Sequence, residues 1–210
     1  MAEHYNLEFG YYPSTAQFNI PEIKPVYELD YPDRWVEFAV TQRNKHLRDK
    51  TGVHFYERDY MFNRVWNEPN KYIHLLSQYR VVASPDFSMY GDYPQAMQIW
   101  NLYRNCWCAR FWQENGITVI PTVLWGDEST WDWCFSGMPK HSIITVSNVG
   151  NAKGKEKLDY FNKGYIEMLN RLEPKEIIMM VSNLNWNYEG NVHYIKWCRL
   201  KGEQYGRREL

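Results

Sequence analysis

The sequence has almost no net charge and no long apolar run. Its 24 lysine and arginine residues nearly balance 25 aspartate and glutamate residues, which gives a formal net charge of -1 over 210 residues. So small a charge exerts no general attraction on nucleic acid, which would have to bind at a local basic patch. No apolar stretch approaches the roughly 20 residues of a membrane-spanning helix, and the polar start Met-Ala-Glu-His-Tyr-Asn is unlike a signal peptide. These absences predict a cytoplasmic protein without a membrane partner.

Cysteine and histidine are too scattered to indicate disulfides or a structural zinc site. Cys106 and Cys108 stand two apart in a helical pattern, so their side chains point in different directions. The histidines lack zinc-binding and metalloprotease spacing, and the P-loop, Gly-x-Gly-x-x-Gly, nucleophile-elbow and Cys–His signatures are absent. We therefore expect a reduced protein without a recognised catalytic motif. The four cysteines are Cys106, Cys108, Cys134 and Cys198.

Aromatic residues are abundant instead, with 10 Trp, 17 Tyr and 9 Phe. Such side chains fill a core, and on a surface they form flat platforms on which bases or sugars stack. The sequence alone leaves both uses open.

The stretch Ile117–Glu128 indicates the centre of the fold. It is a short apolar, β-branched run that stops at Gly126 and two carboxylates, and helical patterns precede and follow it. A buried parallel strand has this pattern, because both of its faces are covered and polar residues follow its carboxyl end. We predict an interior strand over Ile117–Val123, interrupted at Pro121, which has no backbone N–H for the sheet.

Strands and helices alternate along the chain, at about 25–35 residues per repeat, as expected of βα units. This predicts a single α/β domain with a mostly parallel sheet of 5–7 strands. Polar residues follow every predicted strand, which favours an incomplete or irregular (β/α) barrel over an open doubly wound sheet. The predicted helices include Asp33–Lys45, a long helix from Asp92 to Glu114, and Glu156–Leu172. The predicted regions are an N-terminal arm and first helix packed on the domain (1–52), an α/β core (53–200) and a frayed tail (201–210).

Carboxylates follow several of the predicted strands. The carboxyl ends of parallel strands open on one face, so Asp59, Asp86, Asp127 and Glu128 are expected to converge there as catalytic groups. Asp59 and Asp86 are also candidate ligands for Mg²⁺ or Mn²⁺, which oxygen atoms bind. The local alternative is that each acid caps the helix that follows it, and Asp127 and Glu128 before Ser129 fit this well.

Five further residues are candidates for ligand binding. Ser147 and Asn148 begin a Gly-rich loop between a strand and a helix, where a phosphate could be held, although a plain turn gives the same pattern. Arg104 lies among aromatic residues and could stack on a base, or it could pair with a carboxylate. The other two candidates are Arg64 and Trp125.

Four separated motifs resemble those of an uncharacterised domain family of phage, prophage and mobile-element proteins, which occur largely in Gram-positive bacteria. The resemblance covers roughly Val53 to Val181. It implies a phage or mobile-element origin and the cytoplasm of a bacterial host, and it assigns no catalytic residue. The motifs are Ser84-Pro-Asp-Phe-Ser88, Ile120-Pro-Thr-Val-Leu-Trp125, Cys134-Phe-Ser-Gly-Met-Pro139 and Val146-Ser-Asn-Val-Gly150.

Two functions remain open at this point. The acids after different strands favour a carboxylate enzyme, with or without a metal, that acts on a nucleotide, phosphodiester or glycosidic bond. The lack of a catalytic motif favours a non-enzymatic phage protein that binds a host protein, a nucleotide signal or nucleic acid through its aromatic surface, such as a counter-defence or replication accessory protein.

Overall fold

The computed structural model describes residues 5–42, 45–150, 154–182 and 187–197, so Cys198 and the predicted tail 201–210 lie outside it. The described residues form seven strands that pair in chain order, four in one sheet and three in another, and every pair is parallel. This confirms the predicted α/β fold with a mostly parallel sheet of five to seven strands. The strands are β1 (Arg34–Glu37), β2 (Thr51–His54), β3 (Val81–Ala83), β4 (Val119–Ile120), β5 (Ile143–Ser147), β6 (Glu176–Val181) and β7 (Val192–Lys196).

The two sheets meet beside Pro121. β4 pairs with β3 and stops at Ile120, and Thr122 then forms an isolated parallel bridge with Thr145 of β5. The Thr145 N–H donates to the Pro121 carbonyl at 2.8 Å, and the Val123 N–H donates to the Thr145 carbonyl at 2.9 Å. Proline lacks the N–H that would continue the ladder. Within the predicted strand Ile117–Val123, only Val119–Ile120 forms a strand and Thr122 a bridge, with parallel partners on opposite sides and the predicted interruption at Pro121 between them.

The α-helices begin and end at residues suited to those places. Pro69 occupies the first turn of α3, where its missing N–H costs nothing. Gly116, with a φ of 76°, follows the end of the long helix α4 and adopts the left-handed conformation cheaply. None of the helices in the described residues is both long and apolar enough to cross a membrane. The helices are α1 (Asp59–Phe62), α2 (Arg64–Asn67), α3 (Pro69–Leu76), α4 (Gln95–Glu114) and α5 (Lys155–Leu172).

The helices cover only one face of the strands. The buried apolar side chains of α1–α5 belong to one core cluster. From the strands this cluster takes every second residue, such as Val53, Val82 and Val119. The intervening strand residues form a second cluster that contains no helical residue. An open doubly wound sheet would carry helices on both faces, whereas the described helices pack on one face; the predicted barrel is not confirmed. No strand pair among the described residues joins β7 to β1. The second cluster comprises Trp35, Tyr56, Val81, Ala83, Ile120, Ile143, Ile178 and Met180.

An extended segment before β1 covers the amino ends of the strands. The Val26 carbonyl accepts from the Ile143 N–H at 2.7 Å, and the Val26 N–H donates to Ser142 Oγ at 2.8 Å. The Tyr31 ring stacks on His193 of β7 with centroids 5.3 Å apart. The segment therefore packs against the first residues of β5 and β7.

The predicted helix over Asp33–Lys45 is wrong. Arg34–Glu37 is β1, Phe38–Val40 is a 3-10 turn, and residues 43–44 lie outside the described residues. The Trp35 ring lies so close to Gly52 of β2 that a Cβ at that glycine would come within 2.7 Å of it. This close approach fixes β1 beside β2, so the sheet begins inside the region predicted to be an arm and a helix.

Candidate functional site

Asp59 and Asp86 come together at the carboxyl ends of β2 and β3. Asp59 is the first residue of α1, and Asp86 lies three residues after β3. Ser88 donates to Asp59 twice, from its N–H to Oδ2 at 3.1 Å and from its hydroxyl to Oδ1 at 2.7 Å. The loop that carries Asp86 is thereby joined to the start of α1, as the parallel topology predicts.

Asp86 has an unusual proton affinity. Its side chain is half-buried, and its Oδ1 is fully covered without a hydrogen-bond partner among the described residues. Burial raises the pKa of the Asp86 carboxyl well above its usual range, and the charges of Asp59 and Glu57 raise it further. Asp86 therefore holds a proton at a pH where an exposed aspartate has lost it.

A third carboxyl of the cluster is Glu57, which lies between β2 and α1. Burial raises the pKa of Glu57 to about 7, although the Ala39 N–H donates to its Oε1 at 3.0 Å and lowers the pKa. Glu37 at the end of β1 raises the pKa of Glu57, and Arg64 lowers it. Asp59 was selected because it follows a predicted strand. Glu57 follows the same strand, so the sequence could have predicted it as well.

Tyr56 borders the cluster, and the ring of His54, the last residue of β2, lies 5.6 Å from the Tyr56 ring. The Tyr56 hydroxyl lies 2.9 Å from Thr145 Oγ1 and also hydrogen-bonds Thr122. Burial raises the pKa of Tyr56, so the phenol stays neutral. Burial lowers the pKa of His54 to about 3, so this imidazole is neutral as well. These contacts depend on long-range strand register, for which the sequence gives no signal.

Two of the four sequence motifs meet at this site. Ser84, at the end of β3, donates its N–H to the Ile120 carbonyl at 2.8 Å. The Ser84 hydroxyl accepts from the Thr122 N–H at 2.7 Å, and the Thr122 hydroxyl donates to the Ser84 carbonyl at 2.5 Å. The Ser-Pro-Asp-Phe-Ser motif therefore places Asp86, and the Ile-Pro-Thr motif fixes the strand end beside it.

The two predicted arginines lie near the acids but contact protein groups. The Arg104 guanidinium sits 3.8 Å from the centre of the Phe87 ring and donates to the side chains of Asn63 and Asn101. Arg64 is exposed and lies 4.8 Å from the centre of the Phe38 ring. Neither contact leaves a guanidinium directed at Asp86.

Asp127 and Glu128 take the alternative role that their sequence allowed. Asp127 caps the 3-10 helix Glu128–Thr130, because its Oδ1 accepts from the N–H of Ser129 at 3.0 Å and from the hydroxyl of Ser129. Glu128 is exposed and lies 3.9 Å from Lys163 of α5. These contacts run to α5 and to the local turn, not to Asp59 or Asp86.

The other predicted ligand-binding residues are engaged in packing. Trp125 lies against α5, where its ring is 5.0 Å from that of Phe161, and a Cβ at Gly164 would come within 2.2 Å of it. The Ser147 hydroxyl donates to the Met180 carbonyl at 3.1 Å. Asn148 is fully buried and donates to the Tyr188 hydroxyl at 3.3 Å. Ligand binding by these residues remains a prediction.

The described residues contain no group of three or more histidine, cysteine, aspartate or glutamate side chains arranged to hold a metal ion. The predicted binding of Mg²⁺ or Mn²⁺ by Asp59 and Asp86 gains no support from this arrangement. The chemistry that the site offers is proton transfer between carboxyls of different proton affinity.

Comparison with known proteins places the chain among phage proteins. It is 31% identical over 169 residues to the Gene 1 protein of Mycobacterium phage L5. The matched region is 80% of this chain and 72% of the relative. It is 29% identical over 186 residues to the Gene 1 protein of Mycobacterium phage D29. This matched region is 88% of this chain and 68% of the relative. No solved structure matches. Residues 12–196 match the family described as Domain of unknown function (DUF4417), so the uncharacterised phage family that the motifs indicated is confirmed, and the chain belongs to it.

Proposed function

We propose that the protein is an acid–base hydrolase that cleaves a glycosidic bond of a sugar or nucleotide, with Asp86 as the general acid. The observation that carries this proposal is the Asp86 carboxyl after β3, whose Oδ1 is covered and has no hydrogen-bond partner among the described residues and whose pKa burial raises well above its usual range. A general acid needs a pKa near the working pH, and burial beside other carboxylates is how proteins achieve this.

Asp59 is the partner of Asp86 in this reaction. It carries the negative charge that raises the pKa of Asp86, and the two donors of Ser88 stabilise that charge. Asp86 gives its proton to the leaving group as the bond to the sugar carbon breaks. Asp59 accepts a proton from the water that attacks that carbon, and both carboxyls then exchange protons with solvent.

The charges around the cluster favour a glycosidic bond over a phosphodiester. Glycoside hydrolysis passes through a cationic transition state and uses one protonated and one ionised carboxyl, which Asp86 and Asp59 supply. Phosphoryl transfer needs cations directed at the phosphate. Arg104 and Arg64 lie instead on the rings of Phe87 and Phe38.

The test is a hydrolysis assay on a panel of nucleosides, nucleotides and oligosaccharides, with released base or reducing sugar as the readout. Asp86→Asn should lower the rate at least about 100-fold, the usual contribution of general acid–base catalysis. Asp132→Asn is the matched control, because Asp132 is an exposed aspartate that pairs with Arg171 and should leave the rate unchanged. An Asp86→Asn protein as active as the wild type would exclude Asp86 as the acid.

A non-enzymatic binding protein is the second candidate, and exposed apolar side chains near the N-terminus favour it. Leu7, Tyr11 and Phe18 are 54%, 65% and 50% exposed, and aromatic residues are enriched at interfaces. A thermal-shift panel of nucleotides and oligonucleotides tests the nucleotide and nucleic-acid forms of this function, since a ligand of the native state raises Tm. A ligand that raises Tm equally in the wild type and in Asp86→Asn, with no hydrolysis by either, would favour it.

A further inference from the structure

Three polar residues of α4 face the loop that carries Asp86. Asn101, Arg104 and Asn105 are spaced three and four residues apart, which places them on one face of the helix. Asn101 and Asn105 are buried, although a helix normally buries apolar side chains against a sheet. Buried amides are retained where their hydrogen bonds are satisfied, and here the partners lie on the two segments that carry the acids.

Asn105 holds the peptide groups of Phe87, the residue after Asp86. Its Oδ1 accepts from the Phe87 N–H at 2.8 Å, and its Nδ2 donates to the Phe87 carbonyl at 3.4 Å. Asn105 is fully buried. One side chain that grips both the N–H and the C=O of a loop residue fixes that residue in position and in orientation.

Asn101 holds the other end of the loop. Its Nδ2 donates to the Ser88 carbonyl at 2.6 Å, and Ser88 in turn donates twice to Asp59. Asn101 therefore reaches Asp59 through one intervening residue. The two loop residues that follow Asp86, Phe87 and Ser88, are therefore both held against α4.

Arg104 ties α4 to the helix that begins with Asp59. It donates to Asn101 Oδ1 and, at 3.3 Å, to Asn63 Oδ1. The Asn63 N–H donates to the Asp59 carbonyl at 2.8 Å, as the end of α1. The planar guanidinium suits this place, because it donates in two directions while it stacks on Phe87.

We propose that Asn101, Arg104 and Asn105 are positioning residues that hold the Asp86 loop against α1 and so keep Asp86 dehydrated beside Asp59. The inference rests on the proposed function for its catalytic meaning, but the geometry it describes is measurable without a substrate. Release of the loop would hydrate the Asp86 carboxyl, and hydration favours the ionised form.

The experiment is an NMR titration of the Asp86 carboxyl in protein labelled with ¹³C at aspartate carboxyls, with Asp86→Asn used for assignment. Asn105→Ala should lower the Asp86 titration midpoint by at least about one pH unit. Arg104→Lys keeps a positive charge but replaces the two nitrogens that reach Asn63 and Asn101 with a single one, so it should shift the midpoint in the same direction by less. Asn115→Ala is the matched control, because Asn115 donates to the Phe111 carbonyl at the far end of α4 and should leave the midpoint unchanged.

The possible results test the positioning role and the proposed function separately. A wild-type midpoint in folded Asn105→Ala and Arg104→Lys would overturn the positioning role, and Arg104→Lys alone decides if Asn105→Ala does not fold. An equal shift in Asn115→Ala would also overturn it, because general destabilisation would then be the cause. If the midpoint moves as expected but the wild type hydrolyses no substrate of the panel, the proposed function fails and the positioning role stands.

Discussion

Two pairs of acids follow strands of this sheet, and they end in different environments. Asp59 and Asp86 lie together at the ends of β2 and β3, and the charge of Asp59 raises the pKa of Asp86. Asp127 caps a short helix, and Glu128 is exposed beside Lys163. In sequence the two pairs show the same signal, an acid shortly after an apolar run.

The length and packing of the connecting segment explain the difference. Asp86 is the third residue after β3, whereas Asp127 is the seventh after β4. Between β4 and Asp127 the chain buries Val123 and lays Trp125 against α5, which carries the acids away from the strand end. A strand-end acid therefore stays beside its neighbours only when the segment that joins it to the strand is short, as it is for Asp86.

The largest expected effect comes from the packed segment after β4. Phe161→Ala should lower the free energy of unfolding by about 3–5 kcal/mol, the usual cost of a buried phenylalanine, because Phe161 is 2% exposed and lies under Trp125. Urea unfolding measures the loss. A loss below about 1 kcal/mol would show that Trp125 is not held by α5 and would weaken the contrast between the two pairs.

In the acid cluster, by contrast, removal of a carboxyl should increase stability, and the gain should depend on pH. The pKa of Glu57 is raised to about 7 in the folded protein, so its contribution to stability is full below its unfolded pKa and is lost as the pH rises through 7. Glu57→Gln should therefore be more stable than the wild type at pH 8, on the order of 2 kcal/mol after allowance for partial exposure, and equal to it at pH 4. Urea midpoints at the two pH values check this, and a gap that does not change with pH would contradict it.

A smaller effect is expected at the helix cap. Asp127→Ala removes the acceptor for the Ser129 N–H and should cost about 0.5–1 kcal/mol, as for other N-caps. Asp127→Asn keeps the acceptor and serves as the control, with little change expected. Thermal unfolding of both variants measures the difference, and an equal loss in both would assign the effect to charge instead of capping.

The sequence predicted the parts of the fold that depend on local pattern. The helix over Glu156–Leu172 and the interrupted strand beside Pro121 were confirmed, because one apolar stripe and one proline suffice to define them. In β1, Trp35 and Val36 stand in an apolar run without clear period, and pairing with β2 overrides the helical reading.

The candidate site was predicted only in part. Asp59 and Asp86 follow from topology, but the hydroxyl contacts of Tyr56 depend on register across four strands. In α4 exposure does not follow residue polarity, since Met97 and Trp100 are 49% and 38% exposed while Asn105 is buried. Asn105 is buried because it hydrogen-bonds the loop after β3. The spacing of apolar residues along a helix does not predict such a contact.

The smallest effect is expected at Glu128. Its nearest cation, Lys163, is 3.9 Å away, and both side chains are more than half exposed. Glu128→Gln should change the free energy of unfolding by less than about 0.5 kcal/mol, as for other exposed ion pairs, and leave any hydrolytic activity intact. A large loss of activity would instead support the catalytic role that the sequence predicts for Glu128.

The most direct test of the proton held by Asp86 is the difference in urea midpoint between Asp86→Asn and the wild type from pH 4 to pH 8. The raised pKa of Asp86 in the folded protein means that its ionisation costs stability as the pH rises. The account predicts that Asp86→Asn becomes progressively more stable than the wild type toward pH 8 and that the difference disappears near pH 4. A variant that is less stable than the wild type at every pH would show that Asp86 is an ionised partner of a buried cation, and would contradict the account.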